Sequence, residues 1–127
     1  LGLLPQMINQ LGTYKLQGKE PAEAKQIMTD AYQLQQAGAA MLVLECVPAE
    51  LAKEISTQLS IPVIGIGAGI DCDGQVLVLY DMLDIGVHKR PRFSKNFMAG
   101  TDTIEAAIDG YYQSVKQVRF PSAEHSF

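Results

Sequence analysis

Cysteine is scarce in this 127-residue chain: Cys46 and Cys72 stand far apart and form no CxxC pair. Neither spacing suggests a zinc site, and two thiols suit a reducing compartment, most simply the cytoplasm. No apolar run approaches the ~20 residues that a membrane helix needs. No signal peptide is recognisable. Basic residues are too few for a general nucleic-acid binder, since the net charge is −4. The one local exception, His88-Lys89-Arg90-Pro91-Arg92, reads as a solvated loop. The two histidines, His88 and His125, stand alone, and each reads as a surface or hydrogen-bonded side chain. No serine occupies a G-x-S-x-G elbow, and no Cys–His pairing can be inferred. Internal repeats and low-complexity segments are lacking too. So is an initiator Met: the chain opens Leu1-Gly2-Leu3, a start expected of an excerpt or a cleavage fragment.

What is present is the composition of a globular chain, 47% apolar and 19% charged, long enough for one domain with its own core. Residues 1–4 form a short apolar run cut by Pro5 and read as the tail of a strand. Residues 6–19, with Gly12 and Gly18, read as a loop. Pro21 suits the first position of a helix. Ala24, Ile27, Met28, Ala31 and Leu34 recur at three- and four-residue steps along it, and Gly38 stands where a C-terminal cap is expected. Met41-Leu42-Val43-Leu44 is apolar without alternation, the pattern of a strand buried on both faces, and it ends in Glu45. Pro48 starts a second helix with Leu51, Ile55 and Leu59 at four-residue spacing.

Residues 61–66 form a second buried-type strand, closed by Gly65-Ile66-Gly67-Ala68-Gly69. A third apolar run, residues 76–80, ends at Asp81. Its β-branched content favours a strand. A buried helix is the rival, because about nine residues separate it from the preceding strand, too few for a crossover with a full helix. A last helix is expected from about Asp102 to Lys116. Asp102 and Glu105 have capping-box spacing, and Ile104, Ala107, Ile108, Tyr111 and Val115 form its apolar face. Strand, helix, strand, helix, strand is the rhythm of a parallel α/β fold, either a doubly wound sheet or a (β/α)8 barrel. A full barrel needs about 250 residues, so this chain would supply roughly the last three or four of eight units.

In parallel α/β folds, functional residues gather at the C-terminal ends of strands. That rule selects Glu45 and Asp81. A carboxylate directly after four apolar residues is partly desolvated, which raises its pKa and improves it as a proton acceptor near neutral pH. The alternative for Glu45 is a strand-end carboxylate paired with a cation or water. The glycine-rich turn at 65–69 is not a full dinucleotide fingerprint, because Ile70 stands where GxGxxG needs glycine. Its amides could cradle a phosphate or carboxylate, but a tight structural turn is the better reading. Asp71, Asp73 and Gly74 begin like a calcium loop, and the apolar run after them ends that likeness.

Several segments go beyond pattern. Met41-Leu42-Val43-Leu44-Glu45-Cys46-Val47-Pro48 closely resembles the sixth-strand motif of the ketopantoate hydroxymethyltransferase family. Ile61-Pro62-Val63-Ile64-Gly65-Ile66-Gly67-Ala68-Gly69 is similar to its next strand. Asp73-Gly74-Gln75-Val76-Leu77-Val78, Asp81, Phe93-Ser94-Lys95-Asn96-Phe97 and the Glu-His-Ser-Phe ending follow in order. At the start, Leu1-Gly2-Leu3, Pro5-Gln6 and Tyr14-Lys15-Leu16-Gln17-Gly18 resemble the family's fifth strand and its loop. The departures are Leu4, Thr13 and Asp84, where the family usually has threonine, glycine and glycine.

The resemblance implies the C-terminal portion of a (β/α)8 TIM barrel of the phosphoenolpyruvate/pyruvate-type superfamily. It implies transfer of a one-carbon unit from methylene-tetrahydrofolate to the 2-oxo acid 3-methyl-2-oxobutanoate, giving 2-dehydropantoate, in pantothenate biosynthesis. It also implies Mg2+, with ligands expected in the family's N-terminal half, and a homo-oligomer. Glu45 aligns with the family's proton acceptor. By itself the 127-residue piece is expected to be inactive. The competing expectations are another barrel enzyme holding a phosphorylated substrate on the glycine-rich turn, and a non-catalytic assembly subunit. Neither a nucleic acid nor a membrane is expected as a partner.

Overall fold

A computed structural model describes residues 1–7, 16–86 and 90–127. Most of the loop expected over residues 6–19, including Thr13, Tyr14 and Lys15, lies outside the described residues, as do His88 and Lys89.

The first helix, α1 (Pro21–Gln36), begins on its proline and ends where the glycine predicts. Gly38 takes φ +94°. Its N–H donates to Gln35 O at 3.0 Å and the Ala39 N–H donates to Leu34 O at 3.0 Å. This Schellman closure needs a left-handed residue just past the helix, a conformation that costs glycine little. Ile27 and Ala31 are buried, with Ala24 and Met28 packed beside them. Leu34, expected on the same stripe, is exposed.

Strand β1 (Leu42–Glu45) leads into helix α2 (Ala49–Gln58) and then strand β2 (Val63–Ile66). Pro48 is the residue before the first turn of α2 rather than within it. β1 and β2 pair in parallel, Leu42 with Val63 and Glu45 with Ile66. Strand β3 (Gly74–Gln75) adds in parallel to β2, giving the order β1-β2-β3. The N-terminal residues run along the other edge of β1: Glu45 N–H donates to Leu1 O at 2.9 Å and Leu3 N–H to Glu45 O at 2.8 Å. The strand tail expected at residues 1–4 is therefore present in residues 1–3.

Helices α1 and α2 cover one face of the sheet, while on the other face the strand end at Ile66 is buried and the start of β1 is exposed. Leu42, Leu44 and Val63 point toward α1 and α2 and are buried with Ile27, Ala31, Leu51, Ala52, Ile55 and Leu59. Val43 and Met41, on the opposite face, are 44% and 56% exposed. The apolar run thus alternates in burial, contrary to the expectation of a strand buried on both sides. Both faces are apolar, but α1 and α2 lie against the same one.

The third apolar run also departs from expectation. β3 stops at Gln75, and the last ladder bond is Val76 N–H to Gly65 O at 3.0 Å. A one-turn helix, α3 (Leu79–Met82), follows, so Asp81 lies in a helix and not at a strand end. Val76, Val78, Leu79 and Tyr80 are all exposed. With no further strand beside β3 among the described residues, hydrophobicity alone does not extend the pairing. The chain turns so that Met82 and Leu83 enter a second cluster with Phe97, Ala107 and Phe120.

Helix α4 (Ile104–Lys116) supports that cluster. Its cap is Thr103, whose Oγ1 accepts the Ala106 N–H at 3.1 Å; the Asp102 expectation was one residue early. Ala107 is buried, and Tyr111 and Val115 are partly so, whereas Ile104 and Ile108 are exposed. Phe97, Tyr111 and Phe120 meet edge to face with centroids 5.4–5.9 Å apart. The Tyr111 hydroxyl donates to Gln75 O at 2.9 Å and ties α4 to β3. No helix among the described residues is long and apolar enough to cross a membrane.

Candidate active site

Glu45 closes β1, and the chain turns sharply after it. Cys46 adopts φ +49°, and its N–H donates to Ile66 O at 2.9 Å, extending the ladder one residue beyond the carboxylate. A cysteine in the left-handed region is uncommon. That bond and the one from Gln17 N–H to Cys46 O, 2.9 Å, hold it there. By register Glu45 stands on the sheet face away from α1 and α2, with Val43 and Ile66. Its carboxyl pKa is raised by partial burial. Burial also lifts the Cys46 thiol, to about 11, with Glu45 pushing the same way. Cys46 is therefore a neutral, buried thiol beside an ionisable carboxylate.

Glu45 opens into a cavity of about 450 Å³, lined also by Leu3, Leu16, Ile66, Val78, Asp81, Arg92, Phe93 and Phe127. Both carboxylates that the strand-end rule selects thus reach one cavity, though Asp81 does so from a helix. Two larger hollows, about 580 and 620 Å³, lie along α1 and α2, and neither is lined by Glu45 or Asp81. The chemistry points to the smaller one, where ionisable groups meet apolar walls.

The glycine-rich turn packs tightly. At Gly67, φ +63°, a Cβ would stand 3.0 Å from the Phe93 ring; at Gly69, φ +81°, it would stand 2.5 Å from the Ala49 Cβ. Protein atoms occupy the space beside these glycines, which supports the structural-turn reading over a phosphate cradle. Asp73, the calcium-loop look-alike, accepts the Val63 N–H at 2.8 Å. His125 is hydrogen-bonded, as expected: its Nδ1 lies 2.7 Å from Ser122 Oγ, and its ring packs 5.2 Å from Phe120.

Residues 90–92 form a loop with Arg92 exposed, as read, but that reading singled out neither contact made there. Arg90 bonds Asp84 at 2.8 Å, and Arg92 lines the cavity. Phe127 was not singled out as a site residue either, and its approach depends on how the whole tail folds back. Only the Glu-His-Ser-Phe ending marked that segment as special.

Comparison with known proteins places the chain. The family model described as ketopantoate hydroxymethyltransferase matches residues 1–123. The chain belongs to the ketopantoate hydroxymethyltransferase family. It is 59% identical over 128 residues to 3-methyl-2-oxobutanoate hydroxymethyltransferase 2 of Pseudomonas fluorescens, covering all of this chain and 48% of that protein. It is 58% identical over 127 residues to the 3-methyl-2-oxobutanoate hydroxymethyltransferase of Nitrosomonas eutropha, covering 47% of it. The Hahella chejuensis relative, a 3-methyl-2-oxobutanoate hydroxymethyltransferase 2, is 54% identical over 127 residues, with 48% of its length covered. The chain spans about half the length of these curated relatives.

Set against ketopantoate hydroxymethyltransferases, the Asp84 departure has a physical account. Asp84 sits at φ +58°, where the family's usual glycine is at ease. Here the aspartate accepts from Arg90 at 2.8 Å and from Asn96 at 3.0 Å, bonds that glycine cannot make. Leu4 is exposed, and nothing in the structure explains it. The magnesium that the resemblance implies finds no seat here: among the described residues no three His, Cys, Asp or Glu side chains converge. Glu45 and Asp81 share a cavity only as a pair.

Proposed function

We propose that this chain is the C-terminal part of a (β/α)8 barrel that transfers a hydroxymethyl group from methylene-tetrahydrofolate to 3-methyl-2-oxobutanoate, giving 2-dehydropantoate, with Glu45 as the proton acceptor. The observation that carries this reading is the place of Glu45: half-buried at the end of a parallel strand, in a cavity, with its basicity raised by burial. A carboxylate so placed accepts a carbon-bound proton more readily than one in water. Glu45 takes the C3 proton of the oxo acid, and the C–H electron pair becomes the enolate. C3 then bonds to the methylene carbon, water supplies that carbon's hydroxyl as its two bonds to folate nitrogens break, and tetrahydrofolate leaves with two protons, one from the oxo acid and one from the water. Any magnesium would draw its ligands from outside the described residues, and no step is assigned to it.

The barrel assignment is supported by parallel strands with α1 and α2 on one sheet face and an apolar face opposite that bears no helix of that pair, the arrangement of a barrel wall. On this reading residues 1–127 close no barrel and, among the described residues, hold no metal site, so an isolated chain of these residues makes no 2-dehydropantoate. Product formed by that piece in a coupled assay would overturn this. The exposed Ile104, Ile108 and Tyr112 on α4 suit contacts in a homo-oligomer. The free thiols of Cys46 and Cys72 suit a cytoplasmic setting.

The decisive test is Glu45→Gln in the full-length protein. Exchange of the oxo acid C3 proton into heavy water, followed by NMR, should fall by about 10²–10⁴-fold, while oxo acid binding persists. Exchange at the parent rate would remove Glu45 from the mechanism.

A further inference from the structure

Two carboxylates and one cation line the Glu45 cavity among the described residues: Glu45, Asp81 and Arg92. An anionic substrate entering there meets like charge from the acids, and Arg92 is the group that offsets it. The guanidinium is held from behind. Its Nε donates to Glu124 O at 3.1 Å, and its carbon lies 5.2 Å from the centre of the Phe127 ring. The tail that holds it is itself anchored. Ala49 N–H, in the first turn after Glu45, donates to the Phe127 main-chain oxygen at 2.9 Å, and Ser126 Oγ donates to Ser122 O at 3.0 Å. Only the Nε of Arg92 has a hydrogen-bond partner among the described residues. Its terminal nitrogens remain as donors in a planar fork, the geometry that fits a carboxylate.

We propose that Arg92, braced by the tail residues Glu124 and Phe127, is a carboxylate-binding residue of this cavity. The inference rests on the reaction proposed above, which offers two carboxylate sources: the oxo acid itself and the glutamyl end of the folate.

The test uses the full-length protein with Arg92→Met and Arg92→Lys, and calorimetric titration of three probes. These are 3-methyl-2-oxobutanoate, tetrahydrofolate, and 6-methyltetrahydropterin, which lacks the glutamyl group. Arg92→Met should weaken one carboxylate probe by about 10- to 100-fold, and Arg92→Lys should recover part of that loss. If the oxo acid is the source, its Kd alone rises. If folate is the source, tetrahydrofolate loses its advantage over the pterin, which binds parent and variant alike. The proposal is overturned if Arg92→Met shifts neither carboxylate probe by more than about two-fold. Equal weakening of all three probes together with a lowered melting temperature also overturns it, since that marks a structural role. A flat result with normal C3-proton exchange sinks this inference alone. A parent protein that binds no probe sinks the proposed reaction as well.

Discussion

The two hydrophobic clusters of this chain differ in how they are built. The first is β1, α2 and β2 with α1 laid across them, a unit of regular elements joined by short turns. The second gathers α3, α4, the stretch around Phe97 and the turn at Phe120, with few regular elements and contacts distant in sequence. The first presents Glu45 and the second carries the opposite wall, Arg92, Phe93 and Phe127. The proposed proton acceptor thus stands on a strand, while the groups proposed to select its substrate stand on loops.

If the first cluster is the stiff frame, removing Leu44 should be the costliest change to it. Leu44 is fully buried, and Leu44→Ala should destabilise the intact protein by about 2–5 kcal/mol in urea unfolding. Leu34→Ala, at a position that the helical period of α1 also marks as apolar but 41% exposed, should stay within about 0.5 kcal/mol. Equal losses at both sites would erase the distinction between core and surface drawn here.

That pair also shows where the sequence is legible. The proline starts, the Gly38 cap and the place of Glu45 at the end of an apolar run are readable because each depends on neighbours a few residues away, and the parallel order follows from the alternation of strand and helix. Leu34, Ile104 and Ile108 fit the helical period but face outward, because periodicity reveals a stripe and not its width. Val43 is apolar and exposed, and composition does not say which sheet face the helices cover. Residues 76–80 look like a strand, yet a strand requires a partner edge that no local pattern reports. Arg92 and Phe127 are 35 positions apart, and only the folded tail brings them together.

A smaller effect probes the border of the second cluster. Thr103→Ala removes the side chain that accepts the Ala106 N–H and should cost about 1 kcal/mol. Asp102→Ala should cost less, since its side chain caps no N–H in the structure. The reverse ranking by thermal unfolding would restore Asp102 as the cap.

The smallest expected effect concerns the tail. Burial lowers the His125 pKa, Lys95 and Arg90 push it the same way, and Glu124 opposes them. The folded state therefore binds fewer protons than the unfolded chain between the depressed pKa and the ordinary value of about 6.5. Stability contributed by neutral His125 is complete above that ordinary value and is lost as pH falls through the folded one. The Nδ1 contact with Ser122 Oγ, 2.7 Å, is the bond at stake. In an acid titration, the melting temperature of the parent should drop through this window more than that of His125→Gln. Because His125 lies between Glu124 and Phe127, acidification should also loosen the brace behind Arg92. Identical pH profiles for the two proteins would show that the tail is held by Phe120 packing and the Ala49 bond alone.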